Sequence, residues 1–158
     1  MKKFTIFILA LLLMSCYYTL ETTKLEGVDS INIQKINNKT DEYRLNEYLM
    51  DELTKVFVND SSLQVGDKSN KTANLNITIK EFNEEIVAID FNENPTSKKI
   101  IIRLNYKFSK NKEVIDENKN YIYEYNYTVD KNVDEDFYVK KAVQELASSL
   151  KDQLVEGF

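Results

Sequence analysis

The side chains that carry most protein chemistry are nearly absent from this chain. It has no histidine and a single cysteine, Cys16. This excludes imidazole acid–base catalysis, Ser-His-Asp and Cys-His nucleophiles, and Cys/His metal centres. Three scattered glycines cannot build a phosphate-cradling loop. Carboxylates do cluster, at Asp41-Glu42, Glu84-Glu85 and Asp134 to Asp136. Two of these groups fall where helices are expected to begin, and acids there answer the helix dipole. No catalytic residue, metal ligand or bound cofactor is therefore expected, and the chain is not read as an enzyme. Two features keep a chemical role. One is the lone thiol of Cys16. The other is a row of cations at even spacing, Lys99, Arg103 and Lys107, whose ammonium and guanidinium groups suit phosphate. A sheet face kept polar against edge association would show the same row. Asn-x-Ser/Thr triplets at Asn38, Asn70 and Asn126 are chance products of an Asn-rich chain.

The setting of Cys16 defines its chemistry. Lys2 and Lys3 open a basic start, Phe4 to Met14 is almost uninterrupted apolar sequence, and Ser15 is small. A run this short is the core of an export signal rather than a membrane span. The segment Leu13-Met14-Ser15-Cys16 resembles the lipobox of bacterial lipoproteins. That resemblance implies cleavage before Cys16, diacylglycerol on its sulfur and, usually, an acylated amine. Covalent lipid is then the only added group, and it ties the chain to a membrane. The alternative is a plain secretory signal followed by a stray thiol, which would have no cysteine partner. Removing residues 1–15 takes away Lys2 and Lys3 and moves the formal charge from −5 to −7. So acidic a domain is not expected to bind nucleic acid.

The elements follow from periodicity. Residues 1–15 are the signal, 16–27 a lipidated polar tether, and 28–158 a single α/β domain. Ile31, Ile33 and Ile36 mark a first strand, followed by a turn over 37–40. Thr40 is placed to cap a helix over 41–58, with Leu45, Leu49, Leu53 and Val56 on one face. Leu63 and Val65 mark a short strand. Ala73, Leu75, Ile77 and Ile79 alternate, Phe82 breaks the parity, and Val87, Ile89 and Phe91 resume it, which predicts a bulge near 80–84. A turn over 90–97 contains Pro95. Ile100, Ile102, Leu104, Tyr106 and Phe108 form the clearest strand, followed by a tight turn at 110–112. The next strand begins at Val114, is interrupted by the polar stretch 116–120, and continues through Tyr121, Tyr123, Tyr125 and Tyr127. These tyrosines suit core packing, or contact with a partner's wall. Asn132 is expected to cap a last helix, with Glu135 in a capping box and Val139, Val143, Leu146, Leu150 and Leu154 as its apolar stripe. The order β-α-β-β-β-β-α predicts an α+β fold: a two-layer sandwich of a mostly antiparallel sheet with two amphipathic helices on one face.

One stretch carries a finer resemblance. Ile31 to Phe82 runs as strand, Asn38-Lys39-Thr40, a helix ending Leu53-Thr54-Lys55-Val56-Phe57, then Leu63-Gln64-Val65 and Ala73-Asn74-Leu75-Asn76-Ile77. Together with Ala142 to Ala147 in the closing helix, it resembles the LPS-assembly lipoprotein family (LptE). Tyr17 and Tyr18 stand where that family often has Gly after the lipidated cysteine. The resemblance implies the same two-layer sandwich and a place on the periplasmic face of the outer membrane. It also implies a large outer-membrane β-barrel partner, the translocon for lipopolysaccharide, and a role in delivering that lipid to the cell surface. Lys99, Arg103 and Lys107 are then candidate contacts to its phosphates. Two other roles stay open: a membrane-anchored periplasmic regulator of a cell-wall synthase, and a lipid-carrying lipoprotein with no barrel. The tether favours a partner near the bilayer, since residues 17–27 span less than ~40 Å even when fully extended.

Overall fold

The computed structural model describes residues 25, 27–60 and 63–156. Strand β1 is Ser30–Ile33, β2 Asn37–Asn38, helix α1 Leu45–Asn59 and β3 Gln64–Val65. Strands β4 Thr72–Ile89, β5 Pro95–Lys110 and β6 Glu113–Thr128 form a long meander, and helix α2 is Glu135–Glu156. The sheet order is β3-β1-β4-β5-β6, with β2 also on β4. The meander pairs are antiparallel, whereas β1 lies parallel to β3 and β4, and β2 parallel to β4. This is the expected α+β class with a mostly antiparallel sheet and two helices.

One sheet face meets both helices. Alternation supplies the sheet side of the core: Ala73, Leu75, Ile77 and Ile79 on β4, and Ile100, Ile102, Leu104, Tyr106 and Phe108 on β5, all buried. Helical spacing supplies the other side, through Leu45, Leu49, Leu53 and Phe57 on α1 and Val139, Val143, Leu146, Leu150 and Leu154 on α2. Each such side chain contributes about 1.5–3 kcal/mol on full burial. The core also takes in Leu25, inside the stretch expected to be tether. The two helices pack on each other as well as on the sheet.

Several boundaries moved, each for a local reason. The first strand is split. Backbone bonds from Gln34 N to Leu75 O and from Lys39 N to Ile79 O hold both halves along β4, so β2 forms where a turn was expected. Main-chain pairing needs no particular side chain, which is why two asparagines can form it. Helix α1 starts at Leu45 rather than 41. Asn38 Oδ1 accepts from both the N–H and hydroxyl of Thr40, and Asn38 Nδ2 donates to Glu42 O. Thr40 is thereby drawn into an Asx turn instead of capping the helix. Asp134, not Asn132, caps α2: its Oδ1 accepts the N–H of Asp136 at 2.8 Å. Asn132 instead donates to Asp130, and Glu135 faces Lys98.

The predicted bulge is present, as a register shift between Ile79 and Glu81. It rotates Glu81 to the open face and returns Phe82 to the helix side. Strand β6 is continuous. Its polar stretch 116–120 is absorbed by register shifts opposite Asn105 and near Ser109 rather than by a break. The tight turn at Asn111-Lys112 has φ of 49° and 71°, the left-handed pair that a two-residue hairpin requires.

Candidate functional site

Cys16 lies outside the described residues. Among the described residues, Leu25 joins the core beside the β5–β6 turn, where Val28 N bonds Leu25 O and Lys110 Nζ donates to Gly27 O. The β4–β5 hairpin lies at the other end of the meander.

The three candidate cations all lie on the open sheet face, at every fourth position of β5 with Ile101 and Asn105 between them. The strands bring acids to two of them. Register pairs Glu85 with Lys99 and Glu81 with Arg103. Lys99 Nζ sits 3.5 Å from carboxylate oxygens of both Glu85 and Glu124. Arg103 Nε donates to Glu81 Oε2 at 2.8 Å, and its Nη1 to Asn120 Oδ1 at 3.1 Å. Lys107 is exposed and has no ion pair among the described residues, although Glu117 is its register partner. The row is thus a cross-strand charge ladder with one open end. A phosphate meeting Lys99 or Arg103 must compete with carboxylates already in place, whereas at Lys107 it need not. Around the ladder the face is amide-rich: Asn32 Nδ2 and Gln34 Nε2 both donate to Asn74 Oδ1. Asn105, between Arg103 and Lys107, keeps its Oδ1 buried without a partner.

The tyrosines of β6 face the helices. Tyr127 is buried and Tyr121, Tyr123 and Tyr125 are half-buried against the core. Their hydroxyls find partners on α2 and β4: Tyr121 with Ser149 Oγ at 2.8 Å, Tyr123 with Glu145 at 3.0 Å and Tyr127 with Glu84 at 3.4 Å. The Tyr127 ring stacks on Tyr138 at 4.1 Å. Burial pushes the Tyr127 phenol up to about 12. The ladder therefore seals the edge of the sandwich, which is the core role weighed from the sequence.

A second polar cluster joins the starts of α1 and α2. Asp136 accepts from Arg44 Nη1 at 2.6 Å and Tyr48 Oη at 2.9 Å, and pairs with Lys140 Nζ at 2.8 Å. The Lys140 ammonium, then the Tyr48 hydroxyl, hold its carboxyl below the usual range. Nearby, Lys98 bridges Glu135 at 2.7 Å and Glu84 at 3.3 Å, and burial raises the Glu84 carboxyl. A depressed Asp136 contributes stability that is present above the unfolded carboxylate pKa of about 4 and is lost as pH falls through the folded value. Asp136→Asn is expected to lower Tm by about 2–4 °C at pH 7, one exposed charge network in a domain of this size. In thermal melts at descending pH the gap should close once the pH has fallen below the ordinary carboxylate range and the folded-state Asp136 has also taken its proton. A gap that persists there would assign the effect to packing.

Sequence reasoning missed the end of the β4–β5 hairpin. The alternation of a half-buried strand predicts cover for Val87, Ile89 and Phe91, yet they are exposed, together with Ile86. The signal was available. Ile86-Val87-Ala88-Ile89 is a continuous apolar run, with acids before and after it, where a one-sided strand would alternate.

Solved structures share this fold. A minor lipoprotein from Acinetobacter baumannii superposes with a TM-score of 0.52 at 10% identity, covering 82% of this chain and 94% of that one. An uncharacterized lipoprotein B from Nitrosomonas europaea gives 0.53 at 10% identity, covering 81% of this chain and 83% of that one. A hypothetical protein from Chlamydia trachomatis gives 0.53 at 9% identity, covering 80% and 98%. At such identities the likeness is one of fold. No family model matches the chain. No curated protein matches it either.

Proposed function

We propose that this chain is a bacterial outer-membrane lipoprotein, held on the periplasmic face by lipid on Cys16. There it binds a large β-barrel partner and assists the assembly of lipopolysaccharide at the cell surface. The observation that carries this reading is a coincidence of two independent features. A lipobox-like segment, Leu13 to Cys16, precedes an α+β sandwich of the kind found in the Acinetobacter baumannii and Nitrosomonas europaea lipoproteins. The short tether adds to it, because it keeps the domain within ~40 Å of its bilayer. The barrel and the lipopolysaccharide come from the resemblance of residues 31–82 and 136–154 to the LPS-assembly lipoprotein family.

Purification of the lipidated protein from its own membrane tests the partner. Recovery of a very large barrel supports the proposal. Recovery of a peptidoglycan synthase replaces it with the regulatory alternative. Lipopolysaccharide contact is tested separately. The double variant Arg103→Glu with Lys107→Glu is expected to weaken binding of purified lipopolysaccharide by about ten-fold or more, since charge-assisted bonds become repulsive. Lys107→Glu alone should carry much of that loss, because Arg103 is already engaged by Glu81. Unchanged binding in a variant with an unchanged circular dichroism spectrum would return the row to a solvated polar face.

A further inference from the structure

The far end of the β4–β5 hairpin has no partner within the described residues. No residue of β4 beyond Ile79 is buried, and none of β5 before Ile100. Ile86 is 60% exposed, Val87 56%, Ile89 56% and Phe91 95%. Register shifts between Ile86 and Ala88 and between Ala88 and Ile89 break the period of two there. Apolar side chains therefore leave both faces of the ribbon, and packing against one flat surface of this domain could not cover them all. An exposed cluster of this kind marks an interaction site in a folded protein.

The tip is held, not loose. Asp90 N bonds Asn94 O, and Asp90 Oδ1 accepts the N–H groups of Asn92 at 2.8 Å and Asn94 at 2.9 Å. These bonds keep the Asp90 carboxyl ionised and below the usual range. Glu93 takes the left-handed residue of the turn, with φ of 64°. A cluster fixed in this way loses little conformational freedom on docking.

Charge and position select the occupant. Over residues 84–99 the acids Glu84, Glu85, Asp90 and Glu93 outnumber the cations Lys98 and Lys99. Both lysines are already engaged by carboxylates. The apolar tip thus wears an acidic collar, which repels an anionic bilayer surface and equally repels a second copy of itself. From Thr72 to Ile86 strand β4 runs about 45 Å at the usual rise, which carries the tip clear of the buried part of the sheet. We propose that the β4–β5 hairpin tip is a docking prong for another protein, one that offers an apolar cleft rimmed by lysine or arginine. The prong requires no barrel, so it stands or falls apart from the function proposed above.

The test uses the full lipidated chain in its own host, with a photo-crosslinking phenylalanine analogue at Phe91 and, as control, at Val58, an exposed position on α1. The expected result is one discrete protein adduct from position 91 and none from 58. Mass spectrometry should place the crosslinked peptide in an apolar segment next to lysine or arginine. Ile89→Asp should cut the adduct yield about ten-fold or more, as for a buried anchor. Glu93→Lys should cut it by several-fold, and both variants should keep the wild-type melting profile, because Ile89 is exposed and Glu93 makes no ion pair among the described residues. An adduct with lipid alone, an adduct of twice the chain's mass, equal adducts from both positions, no adduct, or indifference to collar reversal would each overturn the proposal.

Discussion

Replacing Cys16 by alanine is expected to abolish lipid attachment and to leave a folded domain with no stable hold on the membrane. The magnitude follows from the anchor. Each methylene contributes about 0.8 kcal/mol, one acyl chain gives only marginal binding near 10⁴ M⁻¹, and two or more make attachment effectively permanent. The change is therefore close to all-or-none. The fold should survive because every residue of the described core lies at Leu25 or beyond. The measurement is incorporation of labelled palmitate, with the mass of the N-terminal peptide. The natural chain should begin at Cys16 and carry acyl groups, and the variant should carry none. An uncut apolar signal would also bind membrane, so fractionation is decisive only beside that mass. Acylation of the Cys16→Ala chain, or a natural chain whose N-terminus is unmodified, would remove the anchor and with it the outer-membrane reading.

The second large effect concerns stability. Phe108→Ala is expected to cost about 3–5 kcal/mol, the transfer term plus the cavity left in the core between sheet and helices. Phe108 is fully buried near the end of β5. Against a total stability of about 5–15 kcal/mol, that is enough to unfold a large fraction of the protein under mild stress. Phe91→Ala, the same chemical change, should alter stability by no more than about 0.5 kcal/mol, since Phe91 projects from the hairpin tip into solvent. Urea titrations of the two variants read this directly. The midpoint should fall steeply for the first and stay in place for the second, with the slope unchanged in both. A large loss from Phe91→Ala would mean that the tip is packed, and would undermine the docking prong.

These two phenylalanines show how far the sequence reaches. Phe108 closes a clean period-two run, Ile100 to Phe108, and every member of the run is buried. Phe91 was assigned to a similar run and is not buried, because periodicity reports which side a residue takes but not whether anything lies on that side. Helix α2 begins at Glu135, whose carboxylate meets Lys98, and no β5 residue before Ile100 is buried beneath it. Where cover stops is a property of helix placement, and that is a long-range matter.

The same division runs through the candidate face. Local patterns in the chain were sufficient for the α+β class, the two apolar helix stripes, the bulge after Ile79, the hairpin turn at Asn111-Lys112 and the common side shared by Lys99, Arg103 and Lys107. Each depends on neighbours a few residues apart, so short-range sterics and alternation decide it. The lipobox-like segment at Cys16 is likewise written in four consecutive residues. Tertiary structure decided the rest. Cross-strand register set Glu81, Glu85 and Glu124 beside the cations and turned a basic row into a charge ladder open only at Lys107. Docking of α2 on β6 gave the Tyr121 and Tyr123 hydroxyls their partners, and the meeting of the two helix starts brought Arg44 and Tyr48 to Asp136, beside its own helix's Lys140. Except for Lys140, one helical turn from Asp136, these partners lie far apart along the chain, and no local propensity encodes them. Their geometry exists only once the sheet and both helices have closed on one core.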